Sequence, residues 1–138
     1  MAAERKRAIT PDQAAIWNQL GAALTRIGQQ SDANECFRTV LQLDAADLTA
    51  RYNLATGLGK TGATTEAIAQ FGEILRAMPD FARAHYHLAL TLQNAGRTDD
   101  ARAHLREAAR LVPADAEIAE ALRRSVAAGA LEVSASVR

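Results

Sequence analysis

The sequence predicts an all-α fold: an α-α superhelix (right-handed solenoid) of three helix-turn-helix units followed by a seventh, capping helix. Two observations carry that expectation. The chain repeats itself at an offset of about 34 residues, a fixed period that marks arrays of one supersecondary unit. At that offset Gly28, Gly62 and Gly96 coincide, as do Ala33, Ala67 and Ala101, and Phe37, Phe71 and Leu105. Within each unit the apolar residues recur at helical spacing, in two runs of ~12 to 15 residues that are marginal as isolated helices and persist only when packed. No strand is predicted.

The first unit opens at Thr10, Pro11, Asp12 and Gln13, which read as a helix cap with proline in the first turn and Gln13 reaching back to the cap N–H. Its first helix, residues 11–26, carries a stripe of Trp17, Leu20, Gly21 and Leu24, and its second, 31–43, faces it with Ala33, Phe37, Val40 and Leu41. Small residues at Gly21 and Ala33 let the two helices come close. Gly28 falls just past the first helix, where a left-handed residue ends it without steric cost. Ser31 reads as the cap of the second helix. The same plan places helices at 47–60 and 65–77 around Gly62, with Thr64 as a cap, and at 81–94 and 99–111 around Gly96, with Thr98 as a cap. Pro79 and Pro113 close the second and third units, and Ala45 holds that place in the first.

The seventh helix, 115–127, continues the period but has Arg123 where Gly21, Ala55 and Ala89 stand in the other units. A partner helix cannot approach closely over an arginine, so this helix reads as a terminal cap. Glu117, Glu120, Arg123 and Arg124 face solvent while Ile118, Leu122 and Val126 cover the third unit. The expected organisation is an N-terminal segment 1–10, a repeat domain 11–127 with units at about 14–47, 48–81 and 82–115 and a capping helix 115–127, and a flexible tail 128–138 of small residues.

Trp17, Leu20, Gly21, Ala33 and Phe37 in the first unit, with Pro79 and Pro113 closing the later ones, resemble the pattern of the tetratricopeptide repeat family. The resemblance covers residues 14–113. It departs where leucines (Leu24, Leu58, Leu92) replace the family's aromatic and where only the first unit carries the tryptophan. What it implies is a non-enzymatic protein–protein interaction module whose first helices line a concave groove for an extended peptide.

Composition bounds the rest. A chain of 138 residues with zero net charge and an isoelectric point near 6.8 offers nothing in bulk to nucleic acid or to a membrane surface. Arg5, Lys6 and Arg7 are followed by no apolar stretch, so no secretory signal is read, and a lone Cys36 makes no internal disulfide; the expected location is cytoplasmic. The letters Gly59-Lys60-Thr61 evoke a phosphate loop, but Leu54 stands where its first glycine belongs, and the preceding residues repeat at helical rather than strand spacing. His85, His87 and His104 lack a Cys or carboxylate at ligand spacing, and His85 takes the packing place of Trp17. No catalytic residue, metal or cofactor is expected.

Positions opposite the packing stripe are free to recognise a ligand. On the first helices these are Ala15, Asn18, Gln19, Ala22 and Arg26, then Thr49, Tyr52, Asn53, Thr56 and Lys60, then Arg83, Tyr86, His87, Leu90 and Asn94. They hold three cations and no Asp or Glu, which favours an acidic or C-terminal peptide; the bland alternative is a solvated polar face. Members of the resembling family that clamp acidic chaperone tails use Lys and Asn on the first helix, Asn on the third, and Lys and Arg on the fifth. Here Asn18 and Ala22 replace the first pair, Asn53 matches, Arg83 substitutes for the next Lys, and His87 replaces the last cation. The full clamp is absent.

A second function class is a self-association or assembly module, or a repeat segment of a longer multidomain protein. The edge of the first helix formed by Ile16, Leu20, Ala23 and Ile27 is bulkier than Ala50, Gly57 and Thr61 or Ala84, Thr91 and Ala95 at the matching places, which calls for cover by the segment before Thr10 folding back through Ile9, by a second copy in a homodimer, or by upstream sequence; Met1 to Arg7 is too polar to seal the patch, which favours the second copy.

Overall fold

Glycine in the left-handed region is what turns each helix pair. In the computed structural model, which describes residues 11–137, Gly28, Gly62 and Gly96 have φ of +84°, +84° and +78°, values that side chains rarely tolerate. The same bonds close all three turns. The residue after each glycine donates its N–H to the carbonyl five residues back, Gln29 to Leu24 at 2.9 Å, Ala63 to Leu58 at 2.9 Å and Arg97 to Leu92 at 2.8 Å, satisfying carbonyls that a helix end leaves open.

These turns, and the loops that join one pair to the next, separate seven helices among the described residues: α1 (Pro11–Arg26), α2 (Gln30–Leu43), α3 (Leu48–Lys60), α4 (Thr64–Ala77), α5 (Ala82–Asn94), α6 (Thr98–Leu111) and α7 (Ala116–Val137). The described residues group into two compact units divided inside α4, between Gln70 and Phe71.

In the first unit α2 packs on both α1 and α3. Gly21 is the contact that sets the α1–α2 distance, because a β-carbon there would lie 2.5 Å from Cε1 of Phe37, itself 1% exposed. Ala33 and Val40 complete the buried side of α2, and Ala50, Leu54 and Ala55 that of α3. Arg38 grips Glu66 through both guanidinium nitrogens, and Arg51 donates to Gln70 at 2.6 Å and to the carbonyl of Ala45 at 2.8 Å, so α2, α3 and the start of α4 are cross-tied. In the second unit α5 packs on α6 and α6 on α7. Its interior is Phe71, Ile74, Ala84, Leu88, Ala89, Ala101, Leu105, Ala108 and Ile118. The interior positions expected from the repeat (Ala33, Ala67, Ala101; Phe37, Phe71, Leu105) are all buried.

Three local expectations change. Thr64 and Thr98 are not caps but the first residues of their helices, and Ser31 is the second residue of α2. The left-handed glycine leaves a single residue before each second helix, and its carbonyl takes the first helical bond: Gln29 from Ala33, Ala63 from Ala67, Arg97 from Ala101, each at 3.0 Å. Side-chain caps stand instead on first-type helices, Asp47 accepting from the N–H of Ala50 at 3.0 Å and Asp115 from that of Ile118 at 3.1 Å. The tail does not end the helix at 127: α7 runs to Val137, through a segment without proline and rich in alanine. Arg102 anchors its middle, donating to the carbonyl of Ser125 at 3.0 Å and 3.3 Å and lying against Gly129, where a β-carbon would collide with its guanidinium. Thr10 and the N-terminal segment lie outside the described residues.

Two glycine substitutions separate packing from propensity. Gly21→Ala should lower stability by about 1–3 kcal/mol because the new β-carbon would overlap the buried Phe37 ring and force it or α2 to move. Gly72→Ala, in α4 with open space around its β-carbon, should raise it by about 0.5–1 kcal/mol. Urea denaturation of both variants checks the pair; a Gly21 variant as stable as the parent would contradict the packing described.

Candidate functional site

Because each first helix ends just before a left-handed glycine, the last residues of α1 and α3 are fixed in direction, and both are cations, Arg26 and Lys60. They border a hollow of about 260 Å³ in the first unit, walled by Ala22 and Thr25 of α1, Gln30 and Phe37 of α2, and Asn53 and Thr56 of α3. The hydroxyl hydrogens are already committed inside their helices, Thr25 donating to the carbonyl of Gly21 at 3.0 Å and Thr56 to those of Tyr52 and Asn53 at 3.1 and 3.0 Å. Gln30 donates to Asn34 at 3.0 Å. The donors left to face a ligand are the Arg26 and Lys60 heads and the Asn53 amide. No carboxylate lines this hollow, and neither cation has an ion-pair partner among the described residues. The Gly59-Lys60-Thr61 stretch is therefore a helix end, with Lys60 the last residue of α3.

Other positions expected in the first unit lie apart from this hollow. Asn18 donates to the cap carboxylate of Asp47 at 3.3 Å, and its own Oδ1 is buried without a partner. Gln19 and Thr49 are exposed, and Tyr52 is half-buried outside the hollow's wall. On the edge of α1, Ile16 is 62% exposed, Leu20 45% and Ile27 69%, with Ala23 half-buried; at the matching places of α3, Ala50 is fully buried and Leu54 is 2% exposed.

The second unit differs from expectation. Arg83 and Tyr86 were read as open to an acidic ligand, but the chain's own carboxylates reach them. The phenol of Tyr86 donates to Glu117 Oε1 at 2.8 Å, and Arg83 Nη1 lies 3.4 Å from Glu117 Oε2 and 3.7 Å from Asp115 Oδ2. The Arg83 guanidinium also sits 4.8 Å from the centre of the Tyr86 ring, and His87 meets that ring edge-on at 5.2 Å. Burial, then the bond to the Glu117 carboxylate, pushes the Tyr86 phenol above its usual range. Beside them lies a hollow of about 270 Å³ lined by Tyr86, Leu90 and Gln93 of α5 and Glu117, Glu120, Ala121 and Arg124 of α7. Asn94 is exposed and outside it. Arg123 and Arg124 both bond Glu120 and hold its carboxyl below the ordinary carboxylate range.

The missed residues had a signal. Glu117 stands one period after Arg83, and Glu120 one period after Tyr86. Carrying the expected groove positions one period further, into α7, finds both acids, and α7 shares the lining of the second hollow with α5.

His85 is buried and His87 and His104 are half-buried, and among the described residues no group of three His, Cys, Asp or Glu side chains is placed to hold an ion. His85 Nε2 lies 2.8 Å from the carbonyl of Pro79, which only accepts, so that nitrogen carries the proton; His85 Nδ1 then accepts from His104 Nδ1–H at 3.0 Å. Cys36 is buried, and burial raises its thiol above the usual range. Among the described residues no helix is long and apolar enough to cross a membrane.

Two family models described as tetratricopeptide repeat match residues 14–47 and 60–125. The chain belongs to the tetratricopeptide repeat family. Among curated proteins, this tetratricopeptide chain is 35% identical over 60 residues to the peroxisomal targeting signal receptor of Eremothecium gossypii and 34% over 59 residues to that of Saccharomyces cerevisiae. Those matches cover 44% and 43% of the chain but only 10% of each receptor. Of solved structures, the first tetratricopeptide domain of Spaghetti (RPAP3), bound to the HSP90 peptide SRMEEVD, aligns with a TM-score of 0.83 at 14% identity, over 90% of this chain and 98% of that one. MamA from Desulfovibrio magneticus RS-1 aligns at 0.81 and 22% identity, over 91% of this chain and 71% of its own. At these identities the likeness shows the fold class, an all-α helical solenoid.

The histidine pair makes stability depend on pH. Burial, then the neighbouring His85, lowers the pKa of His104 from the ordinary 6.5, against the opposing pull of Asp100 and Glu107. The unfolded chain thus binds the proton more readily, so the contribution is complete above 6.5 and is lost as pH falls below it. The urea midpoint should drop between about pH 7.5 and about pH 5.5, and His104→Gln, which keeps a donor for His85, should flatten that drop. An unchanged slope in the variant would refute the assignment.

Proposed function

We infer that this chain is a non-enzymatic protein-interaction module that binds an extended acidic or C-terminal peptide segment through the ligand-facing side of its first helices. The observation that carries the reading is the first unit's hollow, where Arg26 and Lys60 meet the Asn53 amide with no carboxylate among the lining residues. Unpaired cations at the end of a helix interact well with the carbonyls behind them and still offer N–H groups forward. A ligand carboxylate arriving there gains charge-assisted hydrogen bonds without having to displace an internal partner. Family membership and the fold support the interaction role. The peptide held by the RPAP3 domain, SRMEEVD, is acidic and is a suitable probe of the chemistry; Ala22 and His87, where the chaperone-clamping members carry Asn and a cation, argue for a different natural ligand.

Calorimetry tests the reading with SRMEEVD, its C-terminally amidated form, and a form with Gln and Asn in place of its acids. The parent should prefer the acidic peptide, with affinity falling as salt rises. Arg26→Glu with Lys60→Glu should weaken binding about tenfold or more, about 1.4 kcal/mol, and flatten the salt dependence while helicity stays intact. Amidation reports whether the terminal carboxylate or the side chains are read. Equal binding by the double variant, or equal binding of acidic and neutral peptides, would sink the claim.

A further inference from the structure

The two hollows are alike in size, about 260 and 270 Å³, but opposite in their charge arrangement. In the first unit two cations, Arg26 and Lys60, stand without ion-pair partners among the described residues. In the second every charged group on the rim is answered from within the chain: Glu117 by Tyr86 and Arg83, Glu120 by Arg123 and Arg124. What remains open between those pairs is Leu90, Ala121, Gln93 and the face of Tyr86. The position of Glu117 sharpens the contrast. It is the period-mate of Arg83, so the last helix places a carboxylate, in the ligand-facing row, against the cation that a ligand would otherwise use.

We propose that Glu117 is a specificity-determining residue, a built-in carboxylate that occupies Arg83 and Tyr86 so that the second unit rejects acidic ligand residues and accepts uncharged ones. An incoming carboxylate would have to break the 2.8 Å phenol bond and the Arg83 contacts, then sit beside a displaced like charge. An aliphatic or amide side chain meets no such cost. Asp115 reinforces the block at 3.7 Å from Arg83 while its other oxygen caps α7. The proposal rests on the reading that the first helices face a ligand, but it predicts a change of opposite sign to that of the Arg26 and Lys60 reversals.

Glu117→Gln removes the charge, keeps the shape and lies on an exposed side chain, so the fold should persist; Glu117→Gln with Asp115→Asn removes the second carboxylate while retaining a capping side chain. Titrated with SRMEEVD, both should bind about threefold or more tighter than the parent and with a steeper salt dependence. Adding Arg83→Gln should abolish the gain. Tyr86→Phe, which removes the phenol donor but keeps the ring, should shift affinity in the same direction by less. If the parent binds no acidic peptide, the reading of the first unit fails, yet binding gained by Glu117→Gln and lost again with Arg83→Gln still supports the role of Glu117. Unchanged or weaker binding by both carboxylate variants, with circular dichroism showing intact helices, overturns it.

Discussion

Where each first helix stops decides what the ligand side carries. The stop is set by one backbone event, a glycine at φ near +80° whose following N–H closes onto the last turn. Arg26 and Lys60 are the final residues of α1 and α3, so the place of their backbone is set by the turns at Gly28 and Gly62. The close approach at Gly21 and Phe37 then fixes α2 behind them and gives the first unit's hollow its apolar back wall. A residue with a β-carbon at the left-handed glycine would be strained, and one at Gly21 would push α2 away. Packing and recognition therefore depend on the same few small residues.

With the backbone so constrained, variation is left to charge. The chain is neutral as a whole, and most ion pairs among the described residues are local, three or four residues apart, such as Arg76 with Glu73 and Arg110 with Glu107, which contribute little to stability. Arg38 with Glu66, and Arg83 with Glu117 and Asp115, instead join distant parts of the chain. The first is a bidentate grip between α2 and α4 that holds Glu66 below the ordinary carboxylate range, and it ties helices together. The second borders the hollow lined by Tyr86, Glu117 and Glu120 and engages the charges there. Arg26 and Lys60, by contrast, have no ion-pair partner among the described residues, and under the proposed function that leaves their charge available to a ligand.

The repeat was legible because packing recurs: Ala33 and Phe37 must be small and large for the same reason as Ala67 and Phe71, so identity at a fixed offset reports the interior directly. The helix starts were not legible to a residue. Thr64 and Thr98 look like caps by type, but the Schellman turn before them already places another residue at the cap, and backbone geometry overrode side-chain preference. The extension of α7 was invisible because residues 127–137 have no apolar stripe; Leu131 and Val133 are exposed, and alanine content with the Arg102 anchor sustains the helix. Helical geometry alone groups Arg26, Asn53 and Lys60, which line the first unit's hollow. It also groups Arg83 and Tyr86, but not their engagement by Glu117, a residue that the reading of α7 as a cap assigns to the solvent face.

The central claim is that an acidic segment binds on the α1 and α3 side of the first unit. Amide NMR mapping tests it most directly. On titration with SRMEEVD, the account predicts the largest shifts at Arg26, Asn53, Thr56 and Lys60, with smaller ones at Glu117 and Tyr86. Shifts concentrated instead on the outward faces of α6 or α7, at Arg106 or Val133, would contradict it.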